Sequence, residues 1–380
     1  MAVVSFALLM DYFVYGLVVS LTDHSPAHAG EAQLGLHHGG YALGVLMTAP
    51  PFGYLGARIG LKPLMIGGVV LSAAAMALFA IAPGAALKVV AQLLQGAASA
   101  ATWTAGLSLV ARHHVERRVE MMGYALIGST AGSLLGDVAG GLLQQMGGQG
   151  LGFLMAGVLV AIDAILRVFV LPPDPPGRPS FAGVGALLLD RSVLVSAAAV
   201  GLAAIGWSIV ETLLPARLGH IGVGAPVVGL IFVSATVIYG LAAPVVEWVC
   251  ERFPLRNVMA GGTVAMAIAL PLLDFVQGGV MAAGGVCLVS LCYAFMLDPT
   301  TAELANAADR RGMSCYSAVY AAFNVAYGVG MVATDVAAPA AAARLGFIQV
   351  LLGFSAALVL VTPLLWRKGV SVVVNRELGS

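Results

Sequence analysis

Long apolar runs alternate along the chain with short segments that carry most of the charged residues. Each run is roughly 20 residues long, the length at which an α-helix crosses the hydrocarbon core of a bilayer. The runs do not alternate over about 10 residues, as the strands of a membrane barrel do. The pattern predicts twelve membrane-spanning helices, called spans 1 to 12, with these approximate bounds: 2–22, 39–58, 62–83, 87–111, 120–146, 150–171, 192–215, 225–249, 256–276, 279–305, 313–340 and 345–366.

The composition requires a surface that faces lipid. Hydrophobic residues make up 60% of the 380 residues and charged residues 9%, whereas a soluble domain carries about 25% charged residues. In lipid, every backbone N–H and C=O must be satisfied internally, which long helices achieve. We therefore predict an all-α membrane protein, in which the 48 glycines allow close approach of helices.

A proline-rich stretch, PPDPPGRPS at 172–180, separates the spans into two groups of six. Because proline interrupts helices, this stretch predicts a linker rather than a span. We assign residues 1–171 to an N-terminal six-helix bundle, 172–190 to a cytoplasmic linker and 191–380 to a C-terminal six-helix bundle.

Lys and Arg residues predict the orientation, since they concentrate on the cytoplasmic side of membrane proteins. With a cytoplasmic N-terminus, only three of the 18 basic residues lie on the outer side: Lys88, Arg217 and Arg344. Both termini are therefore predicted to be cytoplasmic, in the cell (inner) membrane. No basic residue precedes span 1, so we interpret it as a mature helix rather than a signal peptide.

The two groups of spans share an internal repeat. ARIGLKPLMIGG (57–68) aligns with ERFPLRNVMAGG (251–262), which places Arg58 over Arg252 and Lys62 over Arg256. Farther along, VERR (115–118) aligns with ADRR (308–311) at nearly the same offset. Parallel repeats of this kind build two related bundles with a cavity at their interface.

The loop after span 2, GYLGARIGLK, resembles the pattern G-x-x-x-D-R-x-G-x-R/K of the major facilitator superfamily. Gly53, Arg58, Gly60 and Lys62 match it, whereas Ala57 replaces the acid that clamps the cytoplasmic gate. The resemblance implies the major facilitator fold: twelve helices in two pseudo-symmetric six-helix bundles, with Arg252 and Arg256 in the equivalent loop of the second bundle.

The chain is more closely similar to the drug:proton antiporter branch, which includes the vesicular monoamine and acetylcholine transporters. LLMDY, VETLLP and MLDPTT in spans 1, 7 and 10 place Asp11, Glu211 and Asp298 on acids of that branch. In span 11, YSAVYAAFNVAYGVG places Asn324 where the branch has Asp. The resemblance implies that these positions bind substrate or couple its transport to protons.

Two further motifs identify the chain as a divergent member. AQLLQG in span 4 resembles A-R-x-x-Q-G, with Gln92 in the arginine position, followed by Gln95 and Gly96. In span 5, GSLLGDVAGG resembles the antiporter motif G-x-x-x-G-P-x-x-G-G, with Asp137 replacing proline. Its matching glycines are Gly132, Gly136, Gly140 and Gly141. Asp335 in span 11 replaces a similar proline.

Acids inside a membrane are costly and need a partner. Without arginine at the same depth, a carboxylate must protonate, reach water or bind a cation, which is the chemistry of a proton–cation exchanger. Arg167 is expected to extend to the cytoplasmic interface. Asp163 is expected to have a structural role and Glu303 to be solvated. Asp137 and Asp335 have two equal interpretations: new coupling sites, or acceptors of hydrogen bonds from a facing backbone.

Aromatic residues provide either a cation-binding wall or helix packing; they are Tyr12, Tyr15, Trp103, Trp207, Tyr239, Tyr320 and Tyr327. Four histidines between spans 1 and 2 match no defined metal motif and predict a solvated loop. The four cysteines predict free thiols. We expect no metal or cofactor, and zero net charge suggests no nucleic-acid partner.

The leading hypothesis is proton-driven export of a small organic cation, drug or amphipathic metabolite by a monomer. One alternative is an exporter of a metal chelator or other metabolite, or an uncoupled facilitator, which the altered motifs favour. A more distant alternative is a transporter-like sensor. An intramembrane aspartyl protease is disfavoured because its second motif needs glycine where Leu134 stands.

Overall fold

The computed structural model is helical throughout its described part, which comprises residues 1–23, 31–82, 84–173, 181–311 and 315–366. The helices are α1 (Ala2–Asp23), α2 (Glu31–Ile59), α3 (Leu61–Ile81), α4 (Ala85–His113), α5 (Arg118–Val170), α6 (Phe181–Leu188), α7 (Arg191–His220), α8 (Ala225–Cys250), α9 (Leu255–Leu272), α10 (Gly279–Arg310), α11 (Tyr316–Leu345) and α12 (Phe347–Leu365). One 3₁₀ turn, Leu273–Phe275, follows α9.

The long helix α5 supplies spans 5 and 6, because it folds back at Gly148. There the backbone has φ 71°, a left-handed conformation that glycine adopts at little cost. The two ends of α5 consequently lie on the same side of the protein. Tyr124 accepts a hydrogen bond from Ser5 at the start of α1, and Leu171 accepts one from Lys62 at the start of α3.

Nine helical segments of the described part are long and apolar enough to cross a membrane, when the two legs of α5 are counted separately. The three other predicted spans are α1, α2 and α4. In α1 the apolar part is a shorter helix, Ala2–Val18. α4 packs between α2 and α3 and also contacts α11, so it faces protein and can carry polar residues such as Gln92, Gln95 and Ser99. An interior position explains its lower hydrophobicity.

The helices form two bundles. In the first, α5 packs along α1, and α4 packs against α2 and α3; in the second, α10 packs against α8 and α9, and α11 against α7. The predicted all-α architecture of two helical bundles is confirmed.

The predicted linker contains a helix that the sequence analysis did not anticipate. α6 (Phe181–Leu188) buries Val184 and Leu187. Asp190 then accepts a hydrogen bond of 2.8 Å from the Ser192 N–H and so caps α7. Most of the proline-rich stretch, residues 174–180, lies outside the described residues.

The two bundles are joined at one face of the protein, called the basic face, which holds Arg58–Lys62, Arg112–Arg118, Arg252–Arg256 and Arg310–Arg311. The buried Arg118 donates to Asn306 at 2.5 Å and to Asp309 at 2.9 Å across the junction. Glu247 accepts a hydrogen bond of 2.6 Å from the Glu120 N–H. These contacts close the junction between the bundles at the basic face.

Glycines of the antiporter motif permit the close packing of α5 on α1. A Cβ at Gly132 or Gly136 would lie 2.2 Å from the carbonyl oxygen of Leu9 or Phe13. Gly140 is also crowded, against Ser20, whereas nothing lies within 4 Å of a Cβ placed on Gly141. Three of the four motif glycines are therefore required by the helix contact.

Candidate functional site

Asp11 lies buried inside the first bundle and is held by two donors from α4. Ser99 donates to its Oδ2 at 2.6 Å and the Trp103 indole donates to the same oxygen at 3.2 Å. Tyr41 in turn donates to Ser99 at 2.8 Å. The sequence analysis did not single out Ser99, although i,i+4 spacing places it on one helix face with Gln95 and Trp103.

Asp298 is completely buried at the junction between the two bundles. Tyr239 of α8 donates to its Oδ1 at 2.5 Å. Its Oδ2 has no hydrogen-bond partner among the residues that the structure describes and lies 2.8 Å from the point where a Cβ on Gly123 of α5 would stand. The carboxyl group therefore rests against a helix of the other bundle with one oxygen unsatisfied.

A second group of acids lies toward the face opposite the basic face. Asp137, Glu211 and Asp335 have exposed side chains, and Glu211 interacts electrostatically with Asp335 and, across the bundles, with Asp137. Asp335 accepts hydrogen bonds from Ser208 at 2.8 Å and Thr212 at 3.2 Å. Glu211 therefore lies in the same group as Asp137 and Asp335. Asp11 lies apart from this group, since its hydrogen-bond donors come from α4.

Aromatic rings connect the acids of the two bundles. Trp103, which donates to Asp11, lies 5.5 Å from Tyr12 and 6.3 Å from Tyr327 of α11, measured between ring centroids. The Tyr327 and Tyr293 hydroxyls are 3.1 Å apart. The chain of rings continues on α7 and α8: Tyr293 lies 5.4 Å from Trp207 and 5.8 Å from Tyr239.

This continuous aromatic wall begins at Asp11 and reaches both Glu211 and Asp298, since Glu211 lies one turn after Trp207 on α7 and Tyr239 donates to Asp298. Faces of tryptophan and tyrosine attract cations, and the neighbouring carboxylates add negative charge. The arrangement suits a ligand that carries a positive charge and apolar surface.

Asn324 and the two glutamines of α4 are buried near this wall. Asn324 donates to Thr104 at 2.9 Å and so links α11 to α4. Both amide atoms of Gln95 and the oxygen of Gln92 have no hydrogen-bond partner in the part of the chain that the structure describes. Gly96 permits the contact with α2, since a Cβ there would lie 2.0 Å from the Tyr41 carbonyl oxygen.

The predicted gating residues lie at the basic face. Gly53 is packed against α11, where Ser317 donates to its carbonyl oxygen at 2.7 Å. Gly60 has φ 96°, a left-handed turn between α2 and α3. Arg58 is exposed, and the Lys62 ammonium donates to the Leu171 carbonyl.

In the second bundle, the equivalent loop makes different contacts. Arg252 lies 3.7 Å from the centroid of the Trp248 ring. Arg256 donates to Ser192 at 2.9 Å and lies 3.7 Å from Glu303.

Two expectations about buried charges were wrong. Arg167 does not extend to the membrane surface: it is 2% exposed, paired with Asp163 at 2.5 Å, and it donates to Thr102. Glu303 is not solvated, because it is buried and pairs with Arg310 at 2.8 Å. In both cases a partner of opposite charge takes the place of water; Asp163 is itself buried, whereas Arg310 is half exposed. The structural role expected for Asp163 agrees with its ion pair.

All four cysteines are free thiols, as predicted. Residues 24–30 of the histidine-containing loop lie outside the described residues. Within the described ranges, no group of three or more His, Cys, Asp or Glu side chains is arranged to hold a metal ion.

Comparison with known proteins agrees with the fold. The sequence profile of the Major Facilitator Superfamily matches residues 1–198. The synaptic vesicular amine transporter of Rattus norvegicus is 28% identical over 328 residues, which cover 83% of this chain and 62% of that protein. The probable vesicular acetylcholine transporter-B of Danio rerio is 27% identical over 392 residues, covering 96% of this chain and 78% of that protein.

Two solved structures resemble the whole chain. The human organic anion transporter MFSD10 superposes with a TM-score of 0.73 at 17% identity, covering 96% of this chain and 98% of its own. FucP in its outward conformation gives 0.67 at 19% identity, covering 95% and 97%. These identities establish the fold alone. The sequence and structure together show that the chain belongs to the Major Facilitator Superfamily, as a multi-pass membrane protein.

Proposed function

We propose that the chain is a secondary active transporter that exports a small organic cation or cationic amphiphile in exchange for protons. The observation that carries this proposal is the carboxyl group of Asp298. It is completely buried at the junction of the bundles, and the described residues offer it one hydrogen-bond donor and leave one oxygen unsatisfied. An ionised carboxylate is costly in such a place, so a proton stabilises the closed junction.

Opening of the junction at the basic face would change this balance. Asp298 touches α5 at Gly123, so separation of the two bundles exposes its unsatisfied oxygen to water. The carboxyl group then releases its proton on that side. Protonation and closure of the junction are thereby linked, which is the property that proton-coupled alternating access requires.

The aromatic wall provides a place for the exported cation. Asp11 accepts a hydrogen bond from Trp103 at one end of the wall, and Glu211 lies one turn after Trp207 on α7. A cation near these acids competes with a proton, because each carboxylate neutralises only one positive charge. Relatives named as amine and acetylcholine transporters support the same class of substrate.

Several further features belong to this proposal. The basic face is cytoplasmic, following the distribution of Lys and Arg, and the protein lies in the cell membrane as a monomer. The bundles comprise 1–171 and 191–380, joined by the linker 172–190. The conformation with a closed basic face then carries a proton on Asp298 and releases substrate on the outside.

An uncoupled facilitator, or an exporter of another metabolite such as a metal chelator, is the second candidate. It is favoured by three substitutions in family motifs: Ala57 at the gate, Asn324 in span 11 and Asp137 in the antiporter motif. Each removes or relocates a group that the resemblance associates with gating or coupling.

Purified protein in liposomes that contain a pH-sensitive dye separates the two candidates. A panel of monoamines and lipophilic cations such as tetraphenylphosphonium is added under an imposed pH gradient. Antiport predicts proton movement upon addition of substrate. Substrate flux without any proton movement would establish the facilitator, and binding without flux would establish the sensor.

The Glu211→Gln variant tests the coupling residue itself, because Gln mimics the protonated acid. We expect loss of transport driven by the pH gradient, while folding is retained. Asp11→Asn should weaken cation binding more than it weakens counterflow of a neutral analogue. Wild-type rates for both variants under a pH gradient would show that these two acids are structural.

A further inference from the structure

A lipid-facing crevice lies between α3 and the second leg of α5, away from the central aromatic wall. Its volume is about 700 Å³. Its walls are apolar and include Val69, Met76, Phe79, Phe153, Val160 and Ala164. The Phe79 and Phe153 rings stack with centroids 6.4 Å apart.

The crevice is long and narrow, and it runs along the helices. On α5 it extends from Gly150 to Ala164, a length of about 20 Å at a rise of 1.5 Å per residue. This exceeds half of the hydrocarbon core, which is about 30 Å thick. Nothing lies within 4 Å of a Cβ placed on Gly150 or Gly157, and Leu154 at the rim is 65% exposed. The space therefore fits an alkyl chain that enters from the bilayer.

Lys88 is the charged residue at the mouth of the crevice. Its side chain is partly buried, and no carboxylate of the described residues pairs with it. Arg217, on the same side of the protein, pairs with Asp274 at 2.8 Å. A partly buried ammonium without a counterion attracts an anion and repels a cation.

The start of α4 adds to this preference. Lys88 lies in the first turn of α4, and the N-cap Gly84 supplies no side-chain hydrogen bond to that turn. Free N–H groups at a helix N-terminus, together with a lysine, bind phosphate well.

We propose that this crevice binds one anionic phospholipid from the leaflet at the face opposite the basic face. One acyl chain fills the apolar crevice and the phosphate contacts Lys88. The inference rests on the crevice and on the unpaired ammonium, and it does not depend on the proposed transport activity.

Native mass spectrometry of the detergent-purified full chain, incubated with phosphatidylglycerol or phosphatidylcholine, tests the proposal. We expect one phosphatidylglycerol to be retained at least about tenfold more tightly than phosphatidylcholine. Lys88→Gln should remove this preference, because the counterion to the phosphate is lost. Gly157→Leu should reduce retention of either lipid, because the new side chain occupies the crevice without a clash.

Matched controls keep the test decisive. Arg344→Gln removes another basic residue from the same side, and Gly353→Leu fills open space on the exposed surface of α12. Both should retain phosphatidylglycerol like the wild type. Lys88→Arg preserves the charge if Lys88→Gln folds poorly, and should retain the lipid. Equal retention by all variants, or equal retention of both lipids by the wild type, would overturn the proposal. Two competitors are added in separate incubations, and the proposal would also fail if the protein preferred palmitate to phosphatidylglycerol or if tetraphenylphosphonium displaced the bound lipid.

Discussion

Asp163 of the first bundle and Asp298 of the second are both buried carboxylates, but among the described residues only Asp163 has a basic partner. In the first bundle, Asp11 receives hydrogen bonds from Ser99 and Trp103, and Asp163 forms an ion pair with Arg167. In the second bundle, Asp298 accepts a hydrogen bond from Tyr239. Within the described part of the chain its other oxygen has no hydrogen-bond partner, and the same is true of one oxygen of Asp163. Asp163 is therefore neutralised by a basic side chain, whereas Asp298 receives a hydrogen bond from a neutral one.

This difference separates structural acids from acids that can exchange protons. A carboxylate that is paired with a buried arginine gains little from a proton, because protonation would leave the arginine without its counterion. A buried carboxylate that no basic side chain of the described residues neutralises has no such restraint. We therefore expect substitutions of Asp163 to affect folding, and substitutions of Asp298 to affect proton coupling.

The largest expected effect is the loss of stability caused by Asp163→Asn. Removing one partner of a buried ion pair costs about 3–5 kcal/mol, since Arg167 remains charged and uncompensated. Thermal unfolding of the purified variant should show a clearly lower midpoint than Asp298→Asn, which leaves no charge unpaired. The double variant Asp163→Leu with Arg167→Met removes both charges and should recover much of the stability. A midpoint for Asp163→Asn equal to that of the wild type would remove the contrast between the bundles.

Asp298→Asn should strongly reduce proton-driven transport with little effect on folding. The amide cannot release a proton when the junction opens, so transport driven by a pH gradient should fall at least about tenfold, equivalent to about 1.4 kcal/mol. Exchange of substrate at equal pH on both sides should be retained, because it needs no net proton release. The liposome assay with internal dye measures both activities. Undiminished proton-driven transport would assign Asp298 a structural role.

The sequence located these acids better than it described their surroundings. Motif resemblance placed Asp11, Glu211 and Asp298 in spans 1, 7 and 10, where the helices put them. The burial of Arg167 was missed, because its position near a helix end is compatible with snorkelling and its contacts with Met65 and Thr102 come from other helices. Likewise, the partner of Asp298 comes from α8, 59 residues away along the chain. Such contacts depend on helix rotation and packing, which local patterns do not encode.

The bundles also differ at the basic face, where the repeat predicts equivalent clamps. Ser317 of α11 donates to the Gly53 carbonyl, but Ala57 provides no acid there. In the second bundle the residue that aligns with Ala57 is the exposed Glu251. One turn earlier Glu247, which aligns with Gly53, accepts a hydrogen bond from the Glu120 N–H at the start of α5. The contact to the other bundle is therefore made by a backbone carbonyl in the first loop and by a carboxylate in the second.

Glu247→Ala should loosen the closed junction. Loss of a side-chain acceptor at a helix N-terminus costs about 0.5–2 kcal/mol, so the population with an open basic face should rise several-fold. Spin labels at the exposed Val115 and Phe253, on opposite bundles, report the separation. Glu251→Ala, at an exposed position of the same loop, is the matched control and should leave the distances unchanged. Identical distance distributions for all three proteins would show that Glu247 does not clamp the junction.

Ala57→Asp should have a smaller effect of the opposite sign. An acid placed near the start of α11 gains about 0.3–1 kcal/mol from the helix dipole, which shifts the same spin-label distances toward the closed state by a few-fold at most. Ala57→Asn, which has similar size without the charge, controls for sterics. If neither the distances nor cysteine accessibility changes, this loop no longer gates.

The smallest expected effect concerns Asp190, which links the linker to the second bundle through Arg311 at 2.7 Å. Partial burial acts to raise the pKa of Asp190, but hydrogen bonds from Arg311 and the Ser192 N–H outweigh it and hold the pKa below its usual range. A lowered pKa means that the contact is fully formed above the usual range and is lost only as pH falls through the lowered value. Between about pH 5 and 8 the contact is therefore constant. We expect Asp190→Asn to reduce transport slightly and equally across this range, with an unchanged midpoint of the pH profile. A shifted midpoint would place part of the pH response in the linker rather than in the buried acids of the second bundle.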